Sequence, residues 1–331
     1  MKRELPKFCY AKPKGIYFQR RGWLTVRFTS TPGTPDFARE YALILQGTPP
    51  LNAGTRTFLN LIRLYQNSEK WEKLAPRTKS DYQTVLTYIE AKMGTLPPER
   101  MQRKDVIRAR DSNAQTIRFA NYVVQVLRIL FEHAIDLGWR EENPAKKVST
   151  LASTGPGRVP WPADMITAYR AAAPLGTRQR LIFEMLLGTG QRIGDVLKAR
   201  WDDIEGGGIN VRQGKTGARL WLPFTRDLKA ALDATKKTGL TICAGPSGIP
   251  AIYRVGADLM LAVRKKIGAE AYDAHALRYT AAAELAALGC TDEVIMSVTG
   301  HKTSAMVAKY AGPARQKARA TEAMNKRDAV K

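Results

Sequence analysis

The chain has 331 residues, long for a single hydrophobic core, so two or three domains are expected. It carries 53 Lys and Arg against 30 Asp and Glu, a formal charge of +23, and an excess of that size favours a polyanionic partner such as nucleic acid. Apolar residues make up 44%, enough to fill real cores, and no apolar run reaches the ~18 residues that span a bilayer, so bulk disorder and a membrane partner are not expected.

Residues 1–15 hold no apolar h-region, so no signal peptide is expected. Cys9, Cys243 and Cys290 are scattered and form no CxxC pair, which argues against a disulfide framework or a zinc site and fits a reducing cytoplasm. Residues 1–55 are basic and broken by Pro and Gly: Lys2, Arg3, Lys7, Lys12, Lys14, Arg20, Arg21, Arg27 and Arg39 stand against Glu4, Asp36 and Glu40. Ile16-Tyr17-Phe18, a turn at Arg20-Arg21-Gly22 and residues 23–28 read as a hairpin. This segment is either a small DNA-binding arm domain or a basic extension packed on its neighbour.

Residues 56–148 read as a small helical bundle. Tyr82, Val85, Leu86 and Ile89 follow the i, i+3, i+4, i+7 spacing up to a stop at Gly94. Ile117, Ala120, Val124, Leu127, Phe131 and Ala134 mark a longer helix that ends near Gly138, and Asn143-Pro144 closes the bundle. These stripes are core positions, and His133 on the same helix is a packed or surface histidine. Residues 149–162, rich in Ser, Thr, Gly and Pro, read as a linker. Beyond it, Asp164 is expected to cap a helix, and another starts about Arg180. Gly206-Gly207-Gly208 interrupts the pattern; residues 209–212 and 219–224 then read as two strands joined by the turn at 213–217. Helical pattern resumes from Ala257, Gly289 ends one helix and Thr291 caps the next. From Pro313 the tail is basic, with Arg315, Lys317, Arg319, Lys326, Arg327 and Lys331 against Glu322 and Asp328. The expected fold class is mainly α with a small β-sheet (α+β): a basic region 1–55, a helical domain 56–148, a linker 149–162, a mixed domain 163–312 and a tail 313–331. No internal repeat is evident.

Of the three histidines in the chain, His275 and His301 fall in the last quarter, each beside a distinctive neighbour. His275-Ala276-Leu277-Arg278 places a His and an Arg on one helical face. Gly300-His301 follows a short apolar helix, and Tyr310 comes nine residues later. Upstream, Gly188-Thr189-Gly190-Gln191-Arg192 is a turn that delivers an arginine into the next helix. Phosphodiester chemistry explains such a gathering. A phosphate under attack builds charge on its non-bridging oxygens, which two guanidiniums can hold bidentately and histidines can support. A tyrosine hydroxyl can attack if a neighbour helps remove its proton, since free phenol titrates near ~10. A hairpin lysine can protonate a leaving oxygen. Each motif alone is weak; their order and spacing together carry the weight. Residues 208–216 look superficially like a P-loop, but five residues separate the glycines where four are required, and the context is a hairpin. No clustered Asp/Glu set suggests a catalytic metal.

The run LLGTGQRIGDVLKARWDDI (residues 186–204) resembles the first catalytic box of the tyrosine recombinases, the phage integrase family. HALRYTAAAELAALGCTDEVIMSVTGHKTSAMVAKY (residues 275–310) resembles their second box. The likeness covers residues 158–312 and, more loosely, the helical domain before them, which resembles the family's core-binding domain. It implies that Arg192 and Arg278 hold the scissile phosphate, that His275 and His301 support proton transfer and transition-state charge, and that Lys215 protonates the departing 5′ oxygen. Tyr310 would attack to give a 3′-phosphotyrosyl link. Asp195 matches an acidic position with an orienting role. Two departures are visible: Leu187-Gly188 stands where Ala-Arg or a similar pair is frequent, and Tyr279 stands where His is common.

The implied function is a site-specific recombinase, the integrase of a phage or mobile element, that cuts and rejoins DNA without cofactor or metal. The implied partners are double-stranded DNA at attachment or recombination sites, a homo-tetramer assembled there, and accessory DNA-bending or excisionase proteins, in the cytoplasm at the nucleoid. The rivals are a type IB topoisomerase-like nicking-closing enzyme and a non-catalytic DNA-binding protein.

Overall fold

The computed structural model describes residues 5–20, 25–46, 56–152 and 157–329. Two compact units divide the chain, Met1–Gly155 and Pro156–Lys331, so the division falls inside the stretch read as a linker.

The first unit opens with an antiparallel meander of β1 (Cys9–Lys12), β2 (Gly15–Phe18) and β3 (Val26–Arg27), followed by α1 (Pro35–Leu45). The hairpin expected from Ile16 to Phe28 is β2 with β3, paired Tyr17 to Arg27 and Phe18 to Val26; Arg21, Gly22 and Trp23 of its turn lie outside the described residues. β1 was not anticipated. The sheet and helix share a small core of Phe18, Phe28, Phe37 and Ile44, with the Phe28 and Phe37 rings stacked at 4.4 Å. Thr34 caps α1 by accepting from the Phe37 N–H, with Pro35 just inside the helix. Buried Glu40 accepts the backbone N–H groups of Thr29 and Ser30 at 2.8 and 3.0 Å, tying α1 to the strand end.

Among its described residues the unit continues with the α-helices α2 (Phe58–Gln66), α3 (Glu69–Glu72), α4 (Pro76–Met93), α5 (Arg103–Asp111) and α6 (Ile117–Asp136). The stripes read from the sequence are the ones buried: Tyr82, Val85, Leu86 and Ile89 on α4, and Ala120, Val124, Leu127, Phe131 and Ala134 on α6. Gly138 takes a left-handed conformation (φ 67°) just beyond α6. Asn143 closes the bundle by accepting the Ala145 N–H and donating to Arg128 O. His133 is half-buried against the edge of Tyr65, as expected of a packed histidine.

The second unit contains α7 (Ala163–Ala172), α8 (Arg178–Thr189), α9 (Ile193–Val196), a meander β4 (Ile204–Glu205), β5 (Gly208–Arg212) and β6 (Arg219–Pro223), then α10 (Arg226–Asp233), α11 (Tyr253–Lys266), α12 (Ala276–Ala287), α13 (Asp292–Thr299) and α14 (Ser304–Ala329). α8 is its axis, with every residue from Leu181 to Leu187 buried. Glu184 among them is held by Arg170 and Arg180. The two long strands pair from Gly208–Pro223 to Arg212–Arg219, so residues 213–218 form the turn.

Four sequence expectations need correction here. Asp164 does not cap α7; Pro162 takes that position and Asp164 lies in the first turn. The chain is fixed before that point by Trp161, which is buried, donates its backbone N–H to Thr280 Oγ1 and its indole N–H to Asp273 O, and so belongs to the core. α8 starts at Arg178, because Thr177 caps it. α11 begins at Tyr253 ahead of Ala257, and the exposure of Tyr253 and Val255 explains why its first turn shows no apolar periodicity. Finally, α14 runs without a break through Pro313, so the helix that carries Tyr310 is also the basic tail.

Candidate active site

Arg192 owes its position to the end of α8. Gly190 ends the helix in the left-handed region (φ 62°), the chain reverses, and Arg192 becomes the extended residue that starts α9. Its Nη1 donates to Gln213 Oε1 at 3.2 Å and lies 4.0 Å from Asp195 Oδ2. Asp195 Oδ1 accepts the Gly214 N–H at 2.8 Å. The carboxylate therefore orients the arginine and the root of the β5–β6 hairpin together.

Gln213 is a junction that sequence reasoning missed. It is fully buried. Its Nε2 donates to Gln191 Oε1 at 2.7 Å and to Thr299 O at 2.8 Å. Its Oε1 accepts from Arg192 and, at 2.7 Å, from the Thr216 hydroxyl. The amide orientation follows from its partners, since a guanidinium can only donate and a peptide oxygen only accept. Gln191 in turn donates to Val298 O at 2.8 Å. One side chain from the hairpin thus joins the turn after α8 to the end of α13. The adjacent Gly300 is left-handed (φ 69°), and a Cβ there would stand 2.4 Å from Gln213 Nε2. The glycine before His301 is required by both backbone conformation and space.

His275 is the residue that opens α12, and Arg278 lies in the first turn. Arg278 is almost wholly buried and donates from Nη1 to Gly190 O at 2.8 Å, which ties the second box to the first. Its Nε and Nη2 are buried and make no hydrogen bond of normal geometry, with the Tyr310 hydroxyl near enough to act on the guanidinium. A buried guanidinium with unused N–H groups is costly unless an anion completes it. Burial and then Arg192 push its pKa down to about 10, with Tyr310 and Asp195 opposing. His275 is pushed down to about 4 by burial and then by Arg158, Arg278 and Arg192, against Asp273. His301 is likewise pushed down to about 4, by burial, Arg278, Arg192 and His275. Both rings are therefore neutral at pH 7.

Tyr310 lies on the face of α14 that also buries Val307 and Ala311. α12 is rich in buried alanines, among them Ala282 and Ala286, so α14 can approach it closely. The Tyr310 ring lies against His301, centroids 4.5 Å apart, and stacks on Tyr279 at 3.8 Å. Burial and the neighbouring Tyr310 raise the pKa of Tyr279.

The structure gathers Arg192, His275, Arg278, His301 and Tyr310 into one site through these contacts and fields. Lys215 differs: it is exposed at the hairpin turn, two residues from Gln213, and makes no ion pair among the described residues. Arg158 is an addition. It pairs with Asp273 at 2.7 Å and acts on the charge of His275 and Tyr279. Among the described residues, no group of His, Cys, Asp and Glu could hold a metal ion, and no helix is long and apolar enough to cross a membrane.

Residues 163–317, which include all of these except Arg158, match the phage integrase family. Over those residues the chain is similar to that family. It is 28% identical to the integrase of Escherichia phage HK022 over 165 residues, which is 47% of this chain and 44% of that protein. It is 25% identical to the integrase of Enterobacteria phage 434 over 279 residues, 76% of each chain. The chain thus spans less than half of the first relative and about three quarters of the second. Its fold matches that of a lambda integrase tetramer bound to a Holliday junction, with a TM-score of 0.67 over 94% of this chain and 96% of the other, at 22% identity. The family match runs past Pro313 to residue 317, in keeping with an unbroken α14.

Gln213 had a faint signal in the sequence. It sits between a strand and a Gly-Lys-Thr-Gly turn, where a polar residue pointing inward is unusual. Nothing in the sequence tells which of its neighbours it reaches.

Proposed function

We propose that this chain is a site-specific DNA recombinase, serving a phage or mobile element, that cuts and rejoins double-stranded DNA through Tyr310. The observation that carries this reading is the arrangement around Arg278. Its buried Nε and Nη2, the neutral rings of His275 and His301 and the phenol of Tyr310 share one site. Such donors suit a phosphate whose non-bridging oxygens gain charge in the transition state.

In this reading Arg192 and Arg278 hold the scissile phosphate. Tyr310 Oη attacks phosphorus, the bond from phosphorus to the 5′ oxygen breaks, and a 3′-phosphotyrosyl ester forms. Lys215 gives its proton to the departing oxygen once its hairpin closes over the DNA. Asp195 and Gln213 hold Arg192 and the hairpin root. One ester replaces another, so no energy source is consumed. The basic region 1–55 would grip separate DNA sites, and four copies would assemble on a pair of recombining sites, with DNA-bending or excisionase proteins setting direction. The formal charge of +23 supports a DNA partner.

The test is covalent trapping. Wild type and Tyr310→Phe are incubated with nicked suicide substrates carrying the element's junction sequence. A denaturant-stable adduct with wild type alone is expected. Absence of an adduct from both proteins, despite tight binding, would leave a non-catalytic DNA-binding protein. Adduct formation with relaxation of supercoils by monomers, and no strand exchange, would point to a nicking-closing enzyme.

A further inference from the structure

Thr299 ends α13, immediately before the left-handed Gly300. Its hydroxyl lies 2.6 Å from Ile295 O and 2.8 Å from His301 Nδ1. A hydroxyl has one hydrogen, and a peptide oxygen can only accept. The hydrogen therefore goes to Ile295 O. His301 Nδ1 must then carry its own hydrogen and donate to Thr299 Oγ1. In a neutral imidazole that leaves Nε2 as a bare lone pair. Nε2 is buried and has no hydrogen-bond partner, and the ring that carries it lies against Tyr310.

We propose that Thr299 is a positioning residue that locks His301 in the Nδ1–H tautomer, so that Nε2 is the acceptor for the Tyr310 proton. The inference rests on Tyr310 as the nucleophile. The Tyr310 O–H bond breaks and its proton moves to Nε2, while the phenolate oxygen bonds to phosphorus and the 5′ oxygen leaves with a proton from Lys215. His301, now carrying two N–H groups, can donate to a non-bridging oxygen. The groups acting on this ring are Arg278 and His275 at the start of α12, Arg192 at the start of α9 and Tyr310 on α14. In the free protein burial, and after it the arginines, suppress its basicity. A phosphate held between the arginines offsets their share, so docked DNA makes the ring a better base.

The experiment is a long-range proton–nitrogen correlation spectrum of the full chain with ¹⁵N-labelled histidine at neutral pH. Only His133, His275 and His301 contribute, and His133→Gln and His275→Gln assign them. His301 is expected to show a protonated Nδ1. Thr299→Val should shift it toward the Nε2–H tautomer, whereas Thr299→Ser should not. On suicide substrates Thr299→Val should form adduct at least about tenfold more slowly, with an altered pH–rate profile, and Thr299→Ser at nearly the wild-type rate. A wild-type His301 protonated on Nε2 overturns the proposal, as does a valine variant with unchanged adduct rate. If Thr299→Val does not fold, the wild-type and serine spectra still decide. An Nδ1–H ring in a wild type that forms no adduct would instead count against the nucleophile.

Discussion

Tyr279 stacks on Tyr310 with ring centroids 3.8 Å apart and 27° between the planes. Two phenols therefore share the site, and stacking restricts how the ring of Tyr310 can turn. Such a pair contributes about 0.5–1.5 kcal/mol beyond area burial. Tyr279→Phe keeps the stack and is expected to form adduct within about threefold of wild type. Tyr279→Ala frees the ring and is expected to slow adduct formation about tenfold. Peptide mapping of the trapped complex should place the DNA on Tyr310. Mapping to Tyr279 would exchange the two roles.

Gln213 offers a second test, because it serves four partners from one buried amide. Gln213→Ala leaves Gln191 Oε1 and Thr299 O without their donor, at a cost of about 1–3 kcal/mol for each buried group left unpaired. The larger effect is expected on chemistry, since Arg192 loses its orientation and the hairpin its anchor. Adduct formation should fall about a hundredfold, while DNA binding, measured by titration, should weaken little. A variant with wild-type cleavage would show that the hairpin is positioned by other contacts. Gln213→Glu is a sharper probe: it keeps the acceptor for Arg192 and loses the donor to Thr299 O.

What the sequence made legible follows from which interactions are local. The α4 and α6 stripes were readable because helix burial repeats every 3.6 residues, and Gly138 and Gly289 mark ends through a left-handed backbone, while Gly94 stands at the end of α4 in helical geometry. The histidine, arginine and tyrosine positions stood out through motif spacing and resemblance. Gln213, Thr299 and Arg158 did not, because each acts through partners distant in sequence or through a hydrogen bond that spacing cannot reveal. Trp161 was hidden in a Gly- and Pro-rich stretch although it packs on Phe183 in the core. Pro313 misled in the other direction: a proline marks a helix boundary by default, yet α14 tolerates it.

The buried carboxylate of Glu184 carries a prediction about stability. Its side chain is 1% exposed; Oε1 accepts from Arg180 Nε at 2.7 Å and from Arg170 Nε at 2.8 Å, and Oε2 accepts from Arg170 Nη2 at 2.9 Å. Arg170 also reaches Asp227 at 2.9 Å, and its pairing with Glu184 raises its pKa. Removing one member of such a group strands the others. Glu184→Ala is expected to destabilise the second unit by about 3–5 kcal/mol, and Glu184→Gln by less because it keeps one acceptor. Urea unfolding should show a lower midpoint. A loss below about 1 kcal/mol would mean that water replaces the carboxylate.

The two site histidines predict how stability depends on pH. Both have a folded pKa of about 4, against 6.5 when unperturbed. Between those values the unfolded chain binds more protons than the folded one. Stability is therefore full above pH 6.5 and declines as pH falls toward 4, by at most about 1.4 kcal/mol per pH unit for each ring. The combined slope should be less than twice that, because His275 and His301 act on one another and solvent screens the site. Glu284, exposed on α12 and with its pKa raised, contributes with the opposite sign, and only weakly because solvent screens it. Comparing wild type with the double variant His275→Gln, His301→Gln removes that contribution. Urea midpoints from pH 7.5 to 5 should fall more steeply for wild type. Bound DNA should flatten the wild-type slope, because a phosphate between Arg192 and Arg278 makes both rings easier to protonate. Parallel slopes for the two proteins, with and without DNA, would mean that the rings are open to water and that the arginines do not govern their charge.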